Sequence, residues 1–150
     1  MLEDDLAPIL HIGRQSMAHP WNPALLAGEL RFPGGVQLVA EQDILCGYAF
    51  FRQAGPEVEL MQLAVLPAFR RKGIASKLLR SGLTQLYDRQ AEVCFLEVRK
   101  ADPAAQLFYE QAGFHRVGLR KNYYSCPVDD AVIMRKSMNR DRNDEDHSRS

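Results

Sequence analysis

Chemistry-bearing residues gather in three places along the chain. In the first, the run Arg70-Arg71-Lys72-Gly73-Ile74-Ala75-Ser76 places three adjacent cations before a glycine, just after Leu63-Ala64-Val65-Leu66-Pro67. A strand stopped by proline that passes through such a loop into a helix aims free backbone N–H groups and the positive helix end at one point. That suits a phosphate or pyrophosphate. A solvated basic loop before an ordinary helix is the alternative. The run is not a Walker loop, since the glycine spacing and the Lys-Ser/Thr end are absent, and no G-x-G-x-x-G fingerprint occurs. In the second place, Glu97 follows the apolar run Val93 to Leu96. On a strand it shares one face with Phe95, while Cys94, Leu96 and Val98 share the other. A half-buried carboxylate there has the proton affinity that a general base needs, whereas a strand-end surface carboxylate beside Arg99 would do nothing chemical. In the third, Tyr109 neighbours Leu107 and Phe108, and by helical periodicity it is a packing aromatic.

The elements that must position these residues follow from pattern. A helix is expected from about Asp5 to Met17 with Leu6, Ile9, Leu10 and Met17 near one face, Pro8 being tolerated in its first turn. Asn22 caps and Pro23 opens a second helix through Leu30, and Pro33-Gly34-Gly35 turns the chain into strand. Strands at Val36–Glu41, Ile44–Gln53 and Val58–Leu66, joined by Gln42-Asp43 and Gly55-Pro56, read as an antiparallel meander. From Gly73 to about Arg89, Ala75, Leu78, Leu79, Leu83 and Leu86 recur at helical spacing, with Gly82 completing the stripe. The strand Val93–Val98 is then parallel to the one ending at Leu66, because a helical crossover joins them. Asp102-Pro103 caps a helix over Ala104–Ala112 that Gly113 ends, and Phe114–Tyr124 pairs with Ala131–Lys136. Tyr123 and Tyr124 alternate on that strand, one of them inward. Residues 1–138 form one α/β domain, without repeat or linker. The final twelve, 139–150, carry seven charged and no apolar side chains, and disorder is expected there.

Composition narrows the function classes. With 19 basic and 19 acidic side chains among 150 residues, a bulk binder of nucleic acid or membrane surface is disfavoured. No apolar run exceeds four residues, too short for a membrane-spanning helix, and no secretory signal pattern opens the chain, so a cytoplasmic protein is expected. Cys46, Cys94 and Cys126 have neither disulfide nor zinc spacing and read as free thiols. The four histidines, 11, 19, 115 and 147, have no metal-ligand spacing, and no nucleophile elbow is present.

Arg70-Arg71-Lys72-Gly73-Ile74-Ala75 resembles the Q/R-x-x-G-x-G/A acetyl-CoA loop of the GNAT N-acetyltransferases. The resemblance extends through Leu96-Glu97-Val98-Arg99, Leu107 to Phe114, Arg120-Lys121-Asn122-Tyr123-Tyr124 and Asp130 to Met134. His19-Pro20-Trp21 and Gly47-Tyr48-Ala49 support it. Within that family the pattern is similar to the RimI-type ribosomal-protein alanine N-acetyltransferases. It implies the GNAT fold, a mixed α/β architecture with a mostly antiparallel sheet whose central parallel strand pair splays.

The resemblance implies acetyl-CoA as co-substrate and no metal. The pyrophosphate would lie against Arg71, Lys72, Gly73, Ile74, Ala75 and Ser76, and the pantetheine along the backbone of Leu63, Ala64 and Val65. The N–H of Val65 would polarise the thioester carbonyl. Asp102 stands in a turn that contacts cofactor, where the family commonly has asparagine. Glu97 is the implied proton acceptor and Tyr109 the acid that protonates the departing thiolate. The pair Tyr123-Tyr124 would border the peptide groove. The partner so implied is the N-terminal alanine of a small-subunit ribosomal protein, expected to be protein eighteen, served by a monomer. A GNAT acting on a small-molecule amine or a lysine, or an acetyl-CoA-binding module without catalysis, stands as the alternative.

Overall fold

The computed structural model describes residues 5–16, 22–125 and 127–138. Two helices, α1 (Leu6–Ser16) and α2 (Pro23–Leu30), precede three strands, β1 (Gly35–Gln42), β2 (Ile44–Ala54) and β3 (Glu57–Val65). Helix α3 (Ile74–Asp88) leads to β4 (Val93–Arg99), then α4 (Pro103–Gln111), β5 (His115–Ser125) and β6 (Val128–Ser137). All six strands form one mixed sheet in the order β1-β2-β3-β4-β6-β5, and every pairing is antiparallel except β3 with β4.

Local chemistry accounts for the element ends. The Asn22 side chain accepts from the N–H of Leu25 ahead of Pro23, and Asp102 does the same for Ala105 ahead of Pro103. Asp43 and Gly55 take the left-handed conformation in the two hairpin turns. Helix α3 buries Ile74, Leu78, Leu79, Gly82 and Leu86, the expected stripe with Ile74 added, while Ala75 and Leu83 are only partly covered. A Cβ on Gly82 would meet the Phe51 ring at 2.2 Å, so glycine here is what lets α3 rest on β2.

Three expectations need correction. Helix α1 buries Ile9, Ile12 and Gly13, with Leu6 and Leu10 only at the margin of the core, because it meets the sheet along a face rotated from the one grouped from sequence. Strand β6 begins at Val128 rather than Ala131, since Val128 closes a tight hairpin with Ser125. The alternation of Tyr123 and Tyr124 is broken by a bulge between Arg120 and Tyr124, where Asn122 takes φ +53°. Met17, the His19-Pro20-Trp21 segment, Cys126 and the tail from 139, with His147, lie outside the described residues.

Side-chain alternation sorts the sheet into two faces. Phe51 points toward α3, and its neighbour Arg52 points the other way, toward Glu29 of α2. Register places Glu59 beside Arg52 and Phe95 beside Glu59, so those three and Glu97 share the α2 face. Leu60, Cys94 and Leu96 belong to the α3 face and to the core. Cys46 and Cys94 are buried free thiols, and burial pushes Cys94 up to about 12, leaving it inert at neutral pH.

Candidate active site

The parallel pairing of β3 with β4 covers only Glu57–Val93, Val58–Cys94 and Glu59–Phe95. Beyond Glu59 the strands part, while β3 keeps its other edge on β2 as far as Val65. The edge of Leu63, Ala64 and Val65 that faces β4 is therefore free of sheet pairing, a gap inside the sheet rather than at its outer strands. On the α3 face, this edge borders a cleft of about 430 Å³ whose far wall is the loop and first turn of α3.

Loop conformation explains why the basic run opens onto that cleft. Arg71 and Gly73 both have positive φ, +65° and +76°, a backbone turn of the kind that forms anion-binding concavities. Gly73 precedes α3 with no side-chain cap, and an added Cβ there would meet nothing, so backbone angle rather than space selects glycine. The Arg70 guanidinium and the Ser16 hydroxyl both donate to the Val65 carbonyl, at 3.2 and 3.1 Å, tying the loop and α1 to the strand end.

Of the residues expected to hold a cofactor, Leu63, Ala64, Val65, Arg71, Gly73, Ile74, Ala75 and Ser76 line this one cleft. Lys72 and Asp102 do not. The Lys72 ammonium sits over the Phe69 ring at 5.2 Å, and the Asp102 carboxylate is spent on capping α4. Sequence reasoning did not single out Ser16, Phe69, Arg70, Ala105 and Phe108 as lining residues. Only Arg70 had a signal, its place in the basic run.

Tyr109 lines the same cleft from α4. Its ring packs edge-on against Phe108 and Phe114, at 5.1 and 5.8 Å between centroids, and burial pushes its hydroxyl well above the ordinary phenol range. It thus combines the packing reading with access to the cleft.

Glu97 lies elsewhere. On the α2 face a second cleft, of about 540 Å³, is lined by Arg52, Glu59, Phe95, Glu97, Arg120 and Ile133 among others. The Glu97 side chain is only 17% exposed, and its Oε2 is buried with no hydrogen-bond partner, the Arg120 guanidinium standing 3.7 Å away. The surface-carboxylate alternative therefore does not hold. Tyr123 is exposed and sits under Arg120 at 5.2 Å, while Tyr124 is half-buried under Arg99 at 4.1 Å. Burial first, and the Glu97 charge second, raise both hydroxyls, Tyr124 to about 12. Both tyrosines thus feel the Glu97 charge, and neither lines its cleft. Glu59 went unremarked in the sequence, although a charge inside an otherwise apolar strand was a readable signal.

No group of histidine, cysteine and carboxylate side chains fit for a metal ion occurs among the described residues. No described helix is long and apolar enough to cross a membrane.

The model of the acetyltransferase (GNAT) family matches residues 6–114. The [ribosomal protein bS18]-alanine N-acetyltransferase of Haemophilus ducreyi is 34% identical over 89% of this chain and 94% of its own. The N-alpha-acetyltransferase RimI of Mycobacterium tuberculosis is 37% identical over 78% of this chain and 75% of its own. The crystal structure of the ribosomal-protein-S18-alanine N-acetyltransferase from Escherichia coli superposes with a TM-score of 0.85 at 27% identity, covering 93% of this chain and 91% of that one.

Proposed function

The chain belongs to the GNAT acetyltransferase family, and from that premise we propose that it transfers the acetyl group of acetyl-CoA to a protein N-terminus, the N-terminal alanine of ribosomal protein bS18 in the cytoplasm. The observation that carries this reading is a pair of clefts on opposite faces of the sheet, one lined by Leu63, Ala64 and Val65 and the other by Glu59 and Glu97, on strands whose pairing stops at Glu59 and Phe95. A thioester arm entering from the α3 face and an amine entering from the α2 face would converge at that gap. Bringing both to one point supplies much of the rate.

Acetyl-CoA fits the first cleft by its donor set. The loop and first turn of α3 from Arg71 to Ser76 suit the pyrophosphate and the guanidiniums of Arg70 and Arg71 suit its charge, while the edge of Leu63–Val65 left without a strand partner suits the amides of the pantetheine. When bound it supplies an activated acetyl thioester. In this reading the N–H of Val65 polarises the carbonyl, and Glu97 takes a proton from the α-ammonium, whose ordinary pKa near 7.7–8.0 makes the transfer easy at neutral pH. Tyr109, held as the neutral phenol by burial, gives its proton to the leaving sulfur.

The test is mass-spectrometric acetylation of a peptide panel that varies residue one and includes internal lysines, with wild type and Glu97→Gln. Expected are preferential modification of the alanine α-amine and a loss of turnover of about 10²-fold or more in Glu97→Gln. Transfer to lysine side chains with the α-amine untouched would favour the small-amine or lysine alternative. Binding of acetyl-CoA without transfer to any peptide would favour a non-catalytic module.

A further inference from the structure

The acid and base steps of the transfer leave Arg120 unused, yet its guanidinium stands at the base. The Oε2 atom of Glu97 is buried and has no hydrogen-bond partner among the described residues. Arg120 Nη1 approaches this same oxygen to 3.7 Å, an ion-pair distance that is too long for a hydrogen bond. The Glu97 charge is thus compensated while Oε2 keeps its accepting capacity unused. Arg52, the other arginine that lines this cleft, gives its Nε and Nη2 to the buried carboxylate of Glu29 at 2.7 to 3.2 Å.

The backbone of Arg120 is anchored and its side chain is solvated. Arg120 pairs with Ala131 of β6, which is fully buried, and the bulge in β5 begins only beyond that pair. The side chain is 58% exposed, so water competes with Glu97 for the guanidinium. The same guanidinium lies 5.2 Å from the centre of the exposed Tyr123 ring, a cation–π contact that does not depend on Glu97.

Resting on the N-acetylation reading above, we propose that Arg120 is a displaceable counter-ion of Glu97, a positioning residue that compensates the base until the substrate α-ammonium takes its place. One cation is exchanged for another, so the half-buried carboxylate keeps a counter-charge throughout. The ammonium can donate to Oε2 at hydrogen-bond length, which the guanidinium at 3.7 Å does not, and the exchange favours substrate for that reason. Arg120, once displaced, keeps its hydration and the Tyr123 ring. Transfer converts the amine into a neutral amide with no charge to hold against Glu97. When Glu97 has passed to solvent the proton it accepted, Arg120 reclaims the carboxylate and the product has lost its anchor. Arg120 therefore weakens the binding of substrate and leaves that of product untouched.

The experiment is calorimetric titration of an alanine-initiated peptide, and of the same peptide acetylated at its α-amine, into wild type, Arg120→Met, Arg120→Gln and Arg120→Lys. CoA is present in place of acetyl-CoA so that no transfer occurs, at about pH 7, where the α-amine is cationic. A like charge a few ångströms away in a partly solvated site changes affinity by roughly three- to tenfold. Arg120→Met and Arg120→Gln are therefore expected to bind the free peptide tighter by that factor and the acetylated peptide as wild type does. Arg120→Lys should return the free-peptide affinity to the wild-type value. A structural role for Arg120 would not give tighter binding confined to the charged ligand. Unchanged or weaker binding of the free peptide in both charge-removing variants, or an equal gain for the two peptides, would overturn the exchange. With Glu97→Gln inactive, such a result would overturn the exchange alone, whereas full turnover in Glu97→Gln would overturn the base assignment and the exchange with it.

Discussion

Tyr109 shows how one side chain answers to two demands. Its ring packs edge-on against Phe108 and Phe114, and the residue lines the α3-face cleft. Because burial raises its proton affinity, it stays a phenol across the whole working range, and folding favours the neutral form at any pH near or below the ordinary value of 10. Tyr109→Phe is therefore expected to lower kcat about tenfold or more while leaving the acid limb of the pH profile in place. A wild-type profile recorded up to pH 9.5 should show no descending limb from this group. Loss of stability with unchanged kcat would make Tyr109 a packing residue only. Asp102 poses the converse question, since sequence placed it at the cofactor and the structure places its carboxylate on the N–H of Ala105. Asp102→Ala should cost about 1 kcal/mol of stability, read from a denaturant midpoint, with the acetyl-CoA KM unchanged. Asp102→Asn should restore the cap.

At the scale of elements, the α3 helix carries the site on its first turn and the core on its inner face. Its seat is set by Gly82, whose missing Cβ admits the Phe51 ring. Gly82→Ala must displace either the ring or the helix, and overpacking of this kind costs about 1–3 kcal/mol. Any shift of α3 also moves the cleft-lining first turn after Gly73, so the acetyl-CoA KM should rise in the same variant. Thermal melting and KM measured together check the coupling. A stable Gly82→Ala enzyme with an unaltered KM would show that the loop is positioned independently of the helix seat. The bond from Arg70 to the Val65 carbonyl offers such an independent anchor.

Across the whole molecule, the sheet serves as a partition with one gap. The cleft lined by Tyr109 and the cleft lined by Glu97 lie on opposite faces, with the β3–β4 pair between them. The α2 face is fastened by Glu29, which is 1% exposed and accepts three bonds from the Arg52 guanidinium, itself stacked on Phe32 at 4.2 Å. Glu29→Ala removes charge-assisted bonds but leaves Arg52 38% exposed to water, so a cost of about 1.5–3 kcal/mol is expected, read from chemical denaturation. The released Arg52 would then be free to turn toward Glu59 across the strand pair.

Local signals determined much by themselves. Asn22-Pro23, Asp102-Pro103 and Gly113 marked helix ends because capping depends on a few adjacent residues. The stripe from Ala75 to Leu86 and the three-strand meander followed from periodicity, and the run from Arg70 to Ser76 pointed to an anion because loop, glycine and helix start are contiguous. Tertiary structure alone decided which residues of distant segments meet. It put Glu97 and Tyr109 on opposite faces of the sheet, set Glu59 and Glu97 along one cleft, engaged Lys72 with the Phe69 ring and Asp102 with the α4 cap, and broke the Tyr123-Tyr124 alternation with a bulge. Those outcomes depend on register, on bulges and on where a parallel pair splays. Such properties belong to strand partners far apart in the chain, so no window of neighbouring residues contains them.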